Sequence, residues 1–451
     1  MAMEQAITGS TAREITASVE EAVESGALGP GATLPSVRGL AAQLGVSPTT
    51  VSTAYRELRQ RGVVSAEAGR GTRVAWRPPL VTRATTQAKA RAATGAATRA
   101  GAGVRDLASG NPDPALLPSL SAAVRRLEPG QPLYGAPTIL PELVEVARQL
   151  FADLEVSDDQ IAVVSGAMDG LERVLAAQLR PGDRVAVEDP GHTGVLDLVR
   201  AMGYVPLPVR VDEYGPRTEA LSAALDRGAA ACVMTPRAQN PIGAALSADR
   251  ARELGHCLAG RPDVLVVEND HASLISGADY VTLTRGRESW AVVRSVSKFL
   301  GPDLRVALLA ADQRTASRVE GRQRLGPGWV SHLLQGLVAD LWADPGTRAL
   351  IERASAVYAE RRDAMVAALA AAGVQAFGRS GFNVVVPVLE ESPVLRTLRE
   401  AGWELGPGEP HRMDSPPFVR ITTAALSPAD AVRLAADLAE SLAPGRRSRL
   451  A

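Results

Sequence analysis

Of the 49 lysine and arginine residues in this 451-residue chain, only Lys89 and Lys298 are lysines, and Lys298 ends the run Val293-Arg294-Ser295-Val296-Ser297-Lys298. Arginine replaces lysine as a surface cation. Its guanidinium stays protonated, however, and cannot be the amine nucleophile that condenses with an aldehyde. A chain that writes arginine elsewhere and keeps an amine here either needs a nucleophile or has retained a solvated charge, and the neighbours favour the nucleophile. Ser295 and Ser297 precede the lysine and Arg305 follows seven residues later, a set of hydroxyl donors and a bidentate cation suited to a phosphate. Upstream, Gly166, Ala167 and Met168 lie where a strand turns into a predicted helix. Free N–H groups and the positive dipole end there suit the same phosphate, although an ordinary strand-to-helix turn looks alike.

Asn240 in Asn240-Pro241-Ile242-Gly243, His192 after Glu188-Asp189-Pro190-Gly191, and Asn269-Asp270-His271 add polar and ring-bearing groups. A pyridoxal phosphate site asks for this assortment: a lysine for the aldehyde, donors for the phosphate, a group facing the ring, and partners for the ring hydroxyl and nitrogen.

These residues need a scaffold. The apolar runs Ile161–Val164, Val185–Val187, Ala231–Met234, Val264–Val267 and Val306–Leu309 are short and unalternating, as in a mostly parallel sheet covered on both faces, and Ala/Leu/Arg-rich helical stretches separate them. The pattern predicts an α/β domain over 106–350, with two further strands near Phe382–Val386 and Phe418–Ile421 marking a small C-terminal subdomain over 351–451. Residues 78–105 carry five basic and no acidic residues among Ala, Thr and Gly, and read as a linker with at most transient helix, the alternative being a continuous helix joining two rigid bodies.

Residues 1–77 form a separate helix-rich module. One helix starts near Ser36 and stops at Gly45; a second is capped by Ser47 and has Pro48 in its first turn. That spacing is a helix-turn-helix. Thr49, Thr50 and Ser52 fall on its exposed N-terminal face, while Val51, Ala54, Tyr55 and Leu58 face a core. Gly69-Arg70-Gly71-Thr72 then makes a tight turn with a cation at its tip, the form of a wing.

Leu34-Pro35-Ser36-Val37-Arg38, Leu44-Gly45-Val46-Ser47, Thr49-Thr50-Val51, Ala54-Tyr55, Leu58, Gly62 and Gly71-Thr72 resemble the winged-helix domain of GntR-type transcription regulators over its whole length. Residues 105–445 resemble fold-type I aminotransferases, and the order of modules resembles the MocR branch of the GntR regulators. The resemblance implies that Lys298 forms the internal aldimine with pyridoxal phosphate, that Ser295, Ser297 and Arg305 hold its phosphate, and that Asn240 contacts the ring hydroxyl. It puts His192 at the ring-stacking position, Tyr134 at a phosphate, often across a dimer interface, and Arg420 at an α-carboxylate. Arg38, Ser47, Thr49, Thr50, Ser52 and the wing residues Arg70, Gly71 and Thr72 become the candidates for contact with double-stranded DNA.

The chain departs from that pattern. Relatives carry an aspartate against the pyridine nitrogen and a tyrosine soon after; in the simplest register Asn269 and His271 stand there, while a one-residue bulge would bring in Asp270 instead. An amide cannot stabilise a pyridinium as a carboxylate does, which weakens the electron sink of transamination. Pro48 stands where many relatives have arginine.

A net charge of -1 excludes a global field towards nucleic acid or membrane, so DNA contact has to come from a local patch, a dimer and the basic linker. Cys232 and Cys257 make neither a disulfide framework nor a metal cluster, and with no export segment or long apolar run the expectation is a cytoplasmic, metal-free homodimer. The favoured reading is a transcription regulator that senses pyridoxal phosphate or an amino compound. The alternatives are an aminotransferase with an appended DNA-binding head and a scaffold that only dimerises it.

Overall fold

The computed structural model describes residues 7–24, 27–28, 31–60, 63–67, 71–74, 104–128, 130 and 132–443. The chain divides into two compact units, Met1–Thr86 and Gln87–Ala451.

In the first unit, α1 (Ala12–Glu24), α2 (Val37–Leu44) and α3 (Pro48–Gln60) pack beside an antiparallel pair, β1 (Val64–Glu67) and β2 (Gly71–Val74). Ser36 caps α2 by accepting from the Gly39 N–H at 3.1 Å, and Gly45 ends it in the left-handed region at φ 68. Such a turn is the natural work of glycine. Ser47 caps α3 through the Thr50 N–H at 3.1 Å. Ile15, Val19, Leu40, Val51, Ala54, Tyr55, Leu58, Val64 and Val74 make the core. The Tyr55 hydroxyl, buried with its ring, donates to the Pro35 carbonyl at 2.8 Å, joining α3 to the segment before α2.

In the second unit, β3 (Arg105–Leu107) comes first, and then β4 (Ile161–Val164), β5 (Arg184–Asp189), β6 (Val205–Asp212), β7 (Gly215–Pro216), β8 (Ala229–Met234), β9 (Leu265–Asp270), β10 (Trp290–Ser295) and β11 (Ala307–Ala311). Eight of these make one sheet in the order β4-β11-β10-β9-β8-β5-β6-β7. The pairs β5–β6, β5–β8, β8–β9 and β9–β10 are parallel, whereas β11 runs antiparallel to both β10 and β4. It follows that β4, β5, β8, β9 and β10 point the same way, and their C-terminal ends share one edge. In open α/β sheets that edge is where ligands bind. Apolar clusters cover both faces, one including Leu171, Val174 and Val319 and the other Val146, Val338 and Tyr358.

A second sheet, in the order β12-β14-β13-β3, is built from β12 (Asn383–Pro387), β13 (Trp403–Pro407), β14 (Phe418–Thr422) and β3. Two differences from the sequence reading follow. The strand after the linker pairs parallel with β13, Asp106 beside Glu404, and so belongs to the small sheet. The helix Pro345–Ala371 also runs straight across the expected border at residue 350. A hydrophobic period records burial and not the identity of the partner, so neither feature was visible in the pattern. Among the described residues no helix is long and apolar enough to cross a membrane.

Candidate functional site

The strand ends bring most of the predicted residues together. Beyond β10, Lys298 is half-buried; its Nζ donates to the Gly110 carbonyl at 2.6 Å and lies 5.4 Å from the Phe382 ring centroid. Burial, reinforced by the nearby Arg420 guanidinium, lowers its pKa to about 8. Desolvation disfavours the charged form, so the amine is far closer to its nucleophilic state than a surface lysine at neutral pH.

Beyond β4, Gly166 (φ +96) opens the helix Ala167–Gln178. Its N–H is taken by the Val164 carbonyl at 2.8 Å and that of Ser165 by Asp169 Oδ2 at 2.8 Å. Gly166 therefore supplies room and not the expected donor: a Cβ there would lie 2.5 Å from Arg305 Nη2. The Ala167 and Met168 N–H groups in the first turn of that helix have no intrahelical acceptor. Arg305, itself at φ 48, donates to the Ser165 carbonyl at 3.4 Å. Ser295 Oγ accepts from the Ser297 N–H at 3.2 Å, while Ser297 Oγ is buried with no partner.

Beyond β5 and β9, the His192 and His271 rings lie 6.5 Å apart between centroids and within 24° of parallel. Burial lowers the pKa of His192 to about 3 and that of His271 to about 4, so both are neutral near pH 7. The β9–β10 register runs without a shift through Val292–Glu268, Val293–Asn269 and Arg294–Asp270, which excludes the bulge. Alternation then sends Asn269 to the face opposite its two neighbours. Asp270 is held by Arg237 Nη2 at 2.8 Å and Arg294 Nε at 3.0 Å, and is withdrawn from the list of ring contacts. Asn269 Oδ1 and His192 Nδ1 are buried and unpartnered. Buried polar atoms are rarely left unpaired. Three of them among the predicted residues, beside a glycine cradle under an arginine, fit an anionic aromatic aldehyde such as pyridoxal phosphate.

Arg420 on β14 donates from Nη1 to Asn240 Oδ1 at 2.9 Å and from Nη2 to the Ala108 carbonyl at 2.6 Å. Its Nη1 also lies 3.2 Å from His411 Nε2, and His411 Nδ1 is 3.0 Å from the Gly191 carbonyl. A carbonyl only accepts, so Nδ1 carries the hydrogen and Nε2 receives the arginine's. His411, Ala108, Gly110 and Phe382 escaped the sequence reading because their contacts span long separations without a motif. Tyr134 is not brought in: it is 95% exposed, edge-on to Trp329 at 5.8 Å.

On the first unit Arg38, Ser47, Thr49, Ser52 and Gly71 are exposed and Thr72 is half-buried. Thr50 is half-buried, its hydroxyl 2.8 Å from that of Ser47, so this pair is engaged in capping α3. Arg70 lies outside the described residues. Arg56, one helical repeat beyond Thr49 and Ser52, is exposed on the same face and could have been found from the period alone.

The model for bacterial regulatory proteins of the gntR family matches residues 11–74, and that for aminotransferase class I and II matches 102–438. The vitamin B6 salvage pathway transcriptional repressor PtsJ of Salmonella typhimurium is 37% identical over 439 residues, 97% of this chain and 99% of that one. The pyridoxine biosynthesis transcriptional regulator PdxR of Corynebacterium glutamicum is 32% identical over 265 residues, 58% of this chain and 56% of the relative. The α-aminoadipate aminotransferase LysN of Thermus thermophilus, solved with N-(5'-phosphopyridoxyl)-L-leucine, superposes with a TM-score of 0.66 at 23% identity, over 75% of this chain and 92% of that one. With two family models in that order and a regulator matched end to end, the chain belongs to the MocR branch of GntR-type transcription regulators, DNA-binding proteins whose winged helix precedes a fold-type I aminotransferase-like domain.

Proposed function

We propose that this regulator binds pyridoxal phosphate at the edge of its large sheet, with Lys298 as the attachment point, and that occupancy of the site by the cofactor or by an amino compound controls its grip on DNA. The observation that carries the reading is the half-buried Lys298, its amine lowered to about 8 by desolvation, set among the unpartnered Ser297 Oγ, Asn269 Oδ1 and His192 Nδ1. Bound there, pyridoxal phosphate supplies an aldehyde able to condense with an amine. Ser295, Ser297, Arg305 and the Ala167 and Met168 N–H groups would hold the phosphate, Asn240 the ring hydroxyl, and His192 a face of the ring.

The relative matched over nearly its full length is named for repression in vitamin B6 salvage, and the regulated genes here are proposed to belong to the same vitamin's supply. Exposed Leu133, Tyr134 and Leu325 support a homodimer, with Tyr134 reaching the partner's phosphate, and the regulator is proposed to act in the cytoplasm. Asn269 and the two neutral histidines leave no anion for a pyridine nitrogen, which favours sensing over turnover. The purified protein is expected to take up pyridoxal phosphate in equilibrium dialysis and to turn yellow, and Lys298→Ala to stay colourless. A wild-type chain that ignores the cofactor would sink the reading.

A further inference from the structure

The residues that follow β3 are pinned across the site by the two side chains that a ligand would occupy. Asp106 Oδ1 accepts from the Ala108 and Ser109 N–H groups at 2.8 and 3.0 Å, which turns the chain out of the small sheet. The Ala108 carbonyl then accepts from Arg420 Nη2 at 2.6 Å, and the Gly110 carbonyl from Lys298 Nζ at 2.6 Å. Gly110 reaches that position at φ +67, a left-handed conformation that other residues adopt at a cost. Beyond it the chain is anchored again, the Asp113 N–H donating to the Tyr358 hydroxyl at 3.0 Å and Arg361 pairing with the Asp113 carboxylate at 2.8 Å. Residues 108–112 are thus a strap between two fixed points, and in sequence they follow β3, the strand on which the 78–105 segment from the winged helix ends.

We propose that this strap is the switch element of the regulator: the Lys298–Gly110 hydrogen bond holds it, and capture of the lysine by an aldehyde lets it go. The inference rests on Lys298 being the aldehyde-binding amine. The nitrogen adds to the aldehyde carbon, its two hydrogens leave with the carbonyl oxygen as water, and a C=N bond replaces C=O. An ammonium has three donors to distribute. A nitrogen in a C=N bond retains at most one hydrogen, directed at the neighbouring ring hydroxyl, so the Gly110 carbonyl loses its donor. Arg420 keeps the Ala108 end until a ligand carboxylate competes for it, so an aldehyde loosens the strap and a ligand that also carries a carboxylate frees it further.

The test is hydrogen exchange on the full-length protein, read on peptides covering 104–113. Pyridoxal phosphate is expected to raise exchange in this segment roughly tenfold, the size set by losing one hydrogen bond to a charged donor. Pyridoxine 5'-phosphate, an alcohol that cannot form the C=N bond, is expected to leave it unchanged at a concentration where dialysis shows it bound. Lys298→Ala without any ligand should show the raised exchange already. Gly110→Ala, which strains the strap and keeps the amine, should show it too while still turning yellow. Equal effects of aldehyde and alcohol, or an unaltered strap in folded Lys298→Ala, overturn the proposal. Failure of pyridoxal phosphate to bind counts against the cofactor reading instead, and the Lys298→Ala comparison then decides the strap on its own.

Discussion

Lys298 combines burial, a cationic neighbour and a carbonyl acceptor, and its chemistry follows from the first two. A lysine with its pKa near 8 holds more free amine at pH 7 than one at 10.5 by a factor of roughly three hundred. The protonated form is the unreactive one, so capture of pyridoxal phosphate should slow about tenfold per unit as pH falls below 8 and level off above it, as read from the growth of visible absorbance. A rate that keeps climbing towards pH 10 would mean an unperturbed amine. Asn269 carries the second prediction at this scale. Asn269→Asp places a carboxylate where the amide now points, so with an amino acid and bound cofactor a single-turnover transamination should accelerate at least about tenfold, the gain expected from stabilising a pyridinium by about 1.4 kcal/mol in the transition state. No acceleration would remove the residue from the ring nitrogen.

Secondary-structure elements set the precision of the site. The turn from β4 into its helix places Gly166 under the Arg305 guanidinium, and only a residue without a Cβ leaves that space. Gly166→Ala should weaken pyridoxal phosphate binding at least about tenfold while changing the binding of unphosphorylated pyridoxal little, measured by equilibrium dialysis of both, because the damage is confined to one phosphate contact. The helix-turn-helix was legible from Ser36, Gly45, Ser47 and Pro48 because caps and turns are local, each satisfied by a neighbour three or four residues away. Strand β10 was not named as a strand although Lys298 depends on it, and residues 105–107 were not read as a strand of the small sheet, since the partner of β3 lies some 300 residues away and leaves no local mark. The choice between Asn269 and Asp270 needed the unbroken β9–β10 register.

At the scale of the molecule, the arrangement joins a reader of DNA to a domain whose ligand site includes the first residues after the linker. Tyr134 stands exposed, and in the proposed homodimer it would serve the partner's phosphate. Mixing Tyr134→Ala with Lys298→Ala chains should produce heterodimers that bind one tightly held cofactor per dimer, because one of the two sites then has both residues; dialysis on the separated heterodimer checks this. Weak binding equal to that of the Tyr134→Ala homodimer would show that the tyrosine serves no partner. The residue types alone pointed to a chemistry: a retained amine, hydroxyls and arginine suited to a phosphate, and a capped helix pair for DNA, all readable because each signal lies within a few residues. Tertiary structure decided what sequence separation hides: that Asp270 is consumed by Arg237 and Arg294, that His411 joins Arg420 to the His192 loop, and that Lys298 holds Gly110. Those contacts join segments far apart in the chain, and only folding brings them to the same place.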